Sequence, residues 1–183
     1  MPVTPVSQVR SLGAVIISGA FFLPGGLMFY GVAKREHIWN DAQAVCAVLG
    51  YGKNGNAVRM LLETCAQETL LATAPDRSQF SHGVSLYQID HIAWENVRQR
   101  CREADRVKLK DAFGFDIREF PYAHLAYAPL VAAAFARIHY KLIPDEFPLK
   151  LEGRAQYWKT HYNTVQGAGT VEQYIANAKR LLP

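Results

Sequence analysis

Apolar residues recur at helical spacing over most of the chain after residue 35. The clearest stripe follows the i, i+3, i+4, i+7, i+8, i+11 pattern of one helix face, and it consists of Val58, Leu61, Leu62, Cys65, Ala66 and Thr69. Pro75 follows a few residues later and predicts the end of this helix. The sequence therefore places an amphipathic helix near the middle of the chain.

Further helices and one short strand are predicted around this central helix. The helices expected from periodicity, capping residues and breakers are Asp41–Leu49 after Asn40, Trp94–Arg106, Tyr122–Ile143 with Pro129 as a kink or a new start, Gly153–His161, and Val171–Leu182 with the capping box of Thr170 and Gln173. Residues 84–90 alternate in polarity as a strand does. The pattern predicts a mainly α (α+β) fold, with a small β-hairpin or strand element around residues 82–90.

The N-terminal part of the chain differs from the rest, because Leu12–Ala33 contains no charged residue. About 20 such residues are enough to cross a bilayer as a helix, although Pro24, Gly25 and Gly26 form a turn signal within the run. The run is therefore either an extension packed on the domain, a membrane anchor or a cleaved signal. We expect an apolar segment over residues 1–35 and a single domain over residues 36–183.

Composition excludes several classes of protein. Half of the 183 residues are hydrophobic and a fifth are charged, which is typical of a globular domain. The net charge of +4 comes from scattered basic residues, which does not favour nucleic-acid binding. The six histidines and three cysteines lack metal-ligand spacing, so neither a metal nor another cofactor is expected.

Two glutamates on the central helix are candidates for chemistry. At 100° per residue, Glu68 lies about 20° from Leu61 and falls inside the apolar stripe, whereas Glu63 lies on the opposite side. We therefore expect Glu63 in solvent and Glu68 facing the core or a cleft. A carboxyl group in apolar surroundings has a raised pKa, which suits a general acid near neutral pH. Fraying of the helix end into water is the alternative for Glu68.

Three segments in order resemble the goose-type lysozyme and lytic transglycosylase family. They read CAQETLLA at residues 65–72, HGVSLYQI at residues 82–89 and HYNTVQGAGTVEQYI at residues 161–175. In the family these correspond to a catalytic Glu followed by Ser, a GAxGLMQI segment and a YN stretch. The chain departs from that pattern where His82 and Ser85 replace glycines and Tyr87 replaces Met.

The resemblance implies a lysozyme-like helical domain that cleaves peptidoglycan. Glu68 would protonate the glycosidic oxygen between N-acetylmuramic acid and N-acetylglucosamine, and would then act as the base that activates the C6 hydroxyl to give a 1,6-anhydro sugar. The residues that the resemblance places at substrate are Ser85, Tyr87, Gln88, Tyr162 and Asn163.

The role of Asp90 distinguishes two possible mechanisms, a transglycosylase and a hydrolase. In goose-type lysozymes an Asp follows the corresponding segment, and a second carboxylate would make the protein a hydrolase. Asp90 is also well placed to cap the following helix. A third alternative is a non-catalytic structural or assembly protein that keeps the lysozyme-like fold.

The expected surroundings follow from the same resemblance. The expected partners are peptidoglycan glycan strands, virion or tail assembly proteins, and a membrane contacted through residues 12–33. The expected location is either a bacteriophage virion or tail, or the bacterial periplasm and envelope.

Overall fold

The computed structural model describes residues 27–76, 82–163 and 167–183. Within these ranges the fold is mainly helical. Its α-helices are α1 (Arg35–Leu49), α2 (Ala57–Thr69), α3 (His91–Arg100), α4 (Glu103–Phe113), α5 (Pro129–Lys141), α6 (Leu151–Trp158) and α7 (Val171–Leu181). A 3-10 helix (Tyr122–Tyr127) precedes α5, and a π turn (Lys159–Asn163) continues α6.

Helix α2 lies at the centre of the fold, because α1, α5 and α7 all pack against it. Its residues 60–66 are buried without interruption, whichever side of the helix they occupy. A helix covered on all sides no longer has a solvent face, so the apolar stripe alone does not decide which residues are buried. This arrangement determines the surroundings of both glutamates on α2.

Several helix boundaries differ from those that the sequence predicts. The helix expected over Trp94–Arg106 is two helices, because Cys101 and Arg102 both have extended ψ angles. Pro129 opens α5 at its first turn, where a missing N–H costs no hydrogen bond. The capping box that begins α7 is confirmed in both directions, with Thr170 and Gln173 each accepting from the other's backbone.

The strand expected near residues 84–90 is wrong. These residues form a tight turn closed by a single antiparallel bridge between Val84 and Ile89, and the described residues contain no strand. Ser85 has φ 74° and Gln88 has φ 46°, and a strand requires negative φ throughout. The turn also requires a glycine at position 83, because a Cβ there would lie 2.5 Å from the carbonyl oxygen of Gln88.

The end of the apolar N-terminal run packs on the domain. Tyr30 and Val32 are buried in the core, and the Phe29 N–H donates to the Ala72 carbonyl at 2.8 Å. The packed unit thus begins before the boundary expected at residue 35. The remaining part of the run, up to residue 26, lies outside the described residues. In the part of the chain that is described, no helix combines the length and the hydropathy needed to cross a bilayer.

Candidate functional site

Glu68 lies in the last turn of α2, and the residue as a whole is half-buried. The indole Nε1 of the fully buried Trp158 donates a hydrogen bond of 2.9 Å to Glu68 Oε1. Burial raises the pKa of Glu68 to about 7, and the Trp158 hydrogen bond limits that rise because it stabilises the charged form. Near neutral pH this carboxyl group can therefore both give and accept a proton.

Glu68 opens onto two cavities that share three of their described lining residues, Glu68, His82 and Gln88. We call the two together the Glu68 groove. The smaller cavity measures about 330 Å³ and extends past Tyr30 and Asp76. The larger measures about 610 Å³, and its remaining described walls are Asp90, Tyr162, Asn163, Gly167 and Ala168. Both cavity volumes are in the range of small-molecule binding sites.

The backbone after Glu68 turns in a left-handed conformation over three consecutive residues. Leu70, Leu71 and Ala72 have φ angles of 52°, 56° and 60°. This region costs free energy for residues other than glycine, so surrounding contacts must hold the turn. Thr69 supplies two of them, because its Oγ1 accepts from the Ala72 N–H at 3.2 Å and donates to the Leu86 carbonyl at 2.8 Å. The second bond ties the end of α2 to the turn at residues 84–89.

Gln88 and Asp90 both line the groove, although not through the strand from which the sequence placed them on one side. Gln88 is half-buried, and its side-chain Nε2 donates to the Ser85 carbonyl at 3.0 Å. Asp90 is exposed and caps α3, since its Oδ1 accepts from the Ala93 N–H at 2.6 Å. The capping role is confirmed, and Asp90 faces the same cavity as Glu68 while it performs that role.

The π turn after α6 brings Tyr162 and Asn163 to the larger cavity. The Tyr162 hydroxyl donates to the Tyr87 carbonyl at 2.8 Å, and its ring stacks on Tyr140 with centroids 5.3 Å apart. Asn163 Oδ1 accepts from Lys159 Nζ at 2.8 Å, so this residue stabilises the local turn. The Tyr162 hydroxyl is therefore bound to the backbone of the 84–89 turn rather than to Glu68.

The structure does not bring the side chains of Ser85 and Tyr87 to the groove. Both are fully buried, and the Ser85 hydroxyl accepts from the Tyr87 N–H at 3.2 Å. Positive φ at Ser85 turns the chain so that the Tyr87 ring enters the core, where its hydroxyl has no hydrogen-bond partner among the described residues. The expectation that these two side chains contact substrate is corrected accordingly, because they shape the turn that carries Gln88.

The expectation that Glu63 lies in solvent is also wrong. Its side chain is 1% exposed and receives two hydrogen bonds of 2.7 Å from Arg154, with a third of 3.2 Å from the Tyr174 hydroxyl. Arg154 lies on α6 and Tyr174 on α7, and these helices cover the face of α2 that periodicity assigns to water. A buried carboxylate requires such partners.

Trp158 is the site residue that sequence analysis missed. It was indistinguishable from a packing aromatic by composition. One signal was available, since Arg154 and Trp158 lie four residues apart and hence on one face of the predicted helix. Within the described residues, no group of three or more His, Cys, Asp or Glu side chains is arranged to hold a metal ion.

Comparison of the chain with models of known protein families gives no match, and searches of curated protein sequences and of solved structures give none either.

Proposed function

We propose that this protein is a peptidoglycan lytic transglycosylase that cleaves the β-1,4 bond between N-acetylmuramic acid and N-acetylglucosamine. One observation carries the proposal. A half-buried glutamate with a pKa of about 7 ends a central helix and opens onto a groove lined by Gln88, Asp90 and Tyr162. Perturbed carboxyl groups in clefts are typical of general acids.

The arrangement of the three resembling segments supports a lysozyme-like domain. The end of α2, the 84–89 turn and the π turn are far apart in sequence and border the same groove. Ser85 stands where the family has a glycine, and it adopts the φ of 74° that a glycine would favour. The backbone shape that the glycine would provide is thus kept at this position despite the substitution.

The proposed reaction uses one carboxyl group twice. Protonated Glu68 donates to the bridging oxygen as the C1–O bond breaks and positive charge develops on the muramyl ring. The resulting carboxylate then accepts the proton of the C6 hydroxyl, whose oxygen attacks C1 and forms the 1,6-anhydro ring. A pKa of about 7 suits both steps, because neither protonation state is costly near neutral pH.

A muramidase is the second candidate, and the placement of Asp90 favours it. Asp90 lines the same cavity as Glu68, where a second carboxylate could activate water. Its Oδ1 is engaged with the Ala93 N–H, so a base role would fall to its other oxygen. We place the transglycosylase first because its chemistry requires only Glu68.

The test compares wild type with Glu68→Gln on purified peptidoglycan, by loss of turbidity and by zymogram. Glu36→Gln, in an exposed position of α1, is the matched control. We expect activity in wild type and the control, and a loss of at least 100-fold in Glu68→Gln. Activity that survives in Glu68→Gln contradicts the proposal. No activity in any variant favours a structural protein of a virion or tail.

Mass spectrometry of the released muropeptides separates the two enzymatic mechanisms. Anhydro ends are expected for a transglycosylase. Reducing ends that disappear in Asp90→Asn would establish the muramidase instead. Asn still offers an oxygen to cap α3, so this substitution removes the charge and keeps the cap.

A further inference from the structure

Two carboxylates of α2 pair with two residues of α6 in register. Glu63 receives two hydrogen bonds from Arg154, and Glu68 receives the indole hydrogen bond of Trp158. Arg154 and Trp158 are separated by one helical turn, so the first pair fixes the position of the second along α2. The Glu63–Arg154 pair has one more hydrogen bond, because the Tyr174 hydroxyl on α7 donates to Glu63 Oε2, which also accepts from Arg154 Nε.

We propose that Trp158 is a positioning residue, which holds Glu68 through Oε1 and leaves Oε2 to carry the transferred proton towards the groove. This inference rests on the proposed function. Indole Nε1–H is a donor only, so the lone pair of Oε1 that it occupies is not available to a proton. The fixed carboxyl orientation would thus select one oxygen for the chemistry.

The indole is itself held tightly. Its ring packs against Tyr174 with centroids 5.1 Å apart and an interplanar angle of 34°. On another side, Gly169 lies so close that a Cβ there would be 2.6 Å from Trp158 Cη2. The buried ring therefore has little room to rotate away from Glu68, which is what positioning a proton donor requires.

The hydrogen bond from Trp158 also affects the charge of Glu68. A hydrogen bond donated to a carboxylate stabilises its charged form and opposes the effect of burial. Removing the donor should therefore raise the pKa of Glu68 beyond its present value, by roughly one pH unit. A ring that merely filled space would leave this pKa unchanged when another aromatic ring replaced it.

The experiment uses Trp158→Phe, with Trp94→Phe as the matched control. Trp94 also donates its indole hydrogen, at 3.1 Å to the Phe120 carbonyl, and it does not line the groove. The pKa of Glu68 is measured by ¹³C NMR titration of the side-chain carboxyl, and the pH profile of muropeptide release is recorded in parallel. Circular dichroism checks that each variant is folded.

We expect Trp158→Phe to raise the Glu68 pKa, to move the alkaline limb of the activity profile upward by the same amount, and to lower the plateau rate roughly tenfold. Trp94→Phe should change none of these. An unchanged Glu68 pKa in a folded Trp158→Phe overturns the inference. Should that variant not fold, Gly169→Ala decides, because its added methyl group must displace the indole and raise the same pKa.

Failure of the inference and failure of the proposed function remain distinguishable. The NMR titration needs no substrate, so it tests the Trp158 bond even in a protein that cleaves nothing. Wild-type protein without cleavage activity would overturn the proposed function alone. Full activity with an unshifted profile in Trp158→Phe would overturn the positioning role alone.

Discussion

Replacing Glu68 with Gln should make the protein more stable above neutral pH. The folded environment raises the Glu68 pKa from 4.5 to about 7, so between these values the folded state holds a proton that the unfolded state has released. Stability then falls as pH rises through this window, because unfolding frees the carboxyl group to ionise in water. Gln cannot ionise, and its carbonyl oxygen can still accept from Trp158.

The size of the effect follows from the same displacement of the pKa. At about 1.4 kcal/mol per pH unit, the full difference corresponds to about 3 kcal/mol well above pH 7. Glu68 as a residue is only partly buried and borders the groove, so water there reduces the penalty. We therefore expect Glu68→Gln to gain about 1–3 kcal/mol over wild type at pH 8.5, and roughly a quarter of that at pH 5, where the unfolded carboxyl group is already largely ionised.

Urea denaturation at a series of pH values between 5 and 8.5 measures this difference directly. Contributions from other titrating groups cancel in the comparison, because both proteins carry them. Glu36→Gln is the control, since it makes the same change of side chain at an exposed position of α1. A constant difference between wild type and Glu68→Gln at every pH would refute the reasoning, because it would mean that folding does not perturb this acid.

Three further substitutions test the contacts that hold the site. Arg154→Leu leaves the buried Glu63 with only the exposed Arg59, at 4.0 Å, as a cation, and should lower the free energy of unfolding by about 3–5 kcal/mol in urea denaturation. Adding Glu63→Met should recover most of the loss. Leu70→Gly should exceed Leu70→Ala in thermal stability by about 1 kcal/mol, since φ is 52° there, and equal stability would contradict the strain. Thr170→Ala should lower the free energy of unfolding by about 1 kcal/mol in thermal denaturation, whereas Thr170→Ser retains the hydroxyl that caps α7 and should keep the stability of wild type.

The local features of the fold could be read from the sequence because each depends on residues near in the chain. The capping box of Thr170 and Gln173, the cap supplied by Asp90 and the helical stripe of α2 all have this property. Helical phase places Glu68 on the side of the apolar stripe, towards the core or a cleft, and only the tertiary structure shows that it opens onto a groove. The turn at residues 84–89 could not be predicted in this way, because Ser85 and Gln88 adopt positive φ only with the support of tertiary contacts.

What the sequence by itself determined is therefore most of the helices, though not the division between α3 and α4, and the helix end on which Glu68 lies. The tertiary structure decided what surrounds that glutamate. Helical phase assigns Glu63 to water, and only the packing of α6 and α7 over α2 buries it against Arg154 and brings Trp158 to Glu68. Periodicity describes one helix at a time, whereas burial, and with it the pKa of a carboxyl group, depends on every element that packs against that helix.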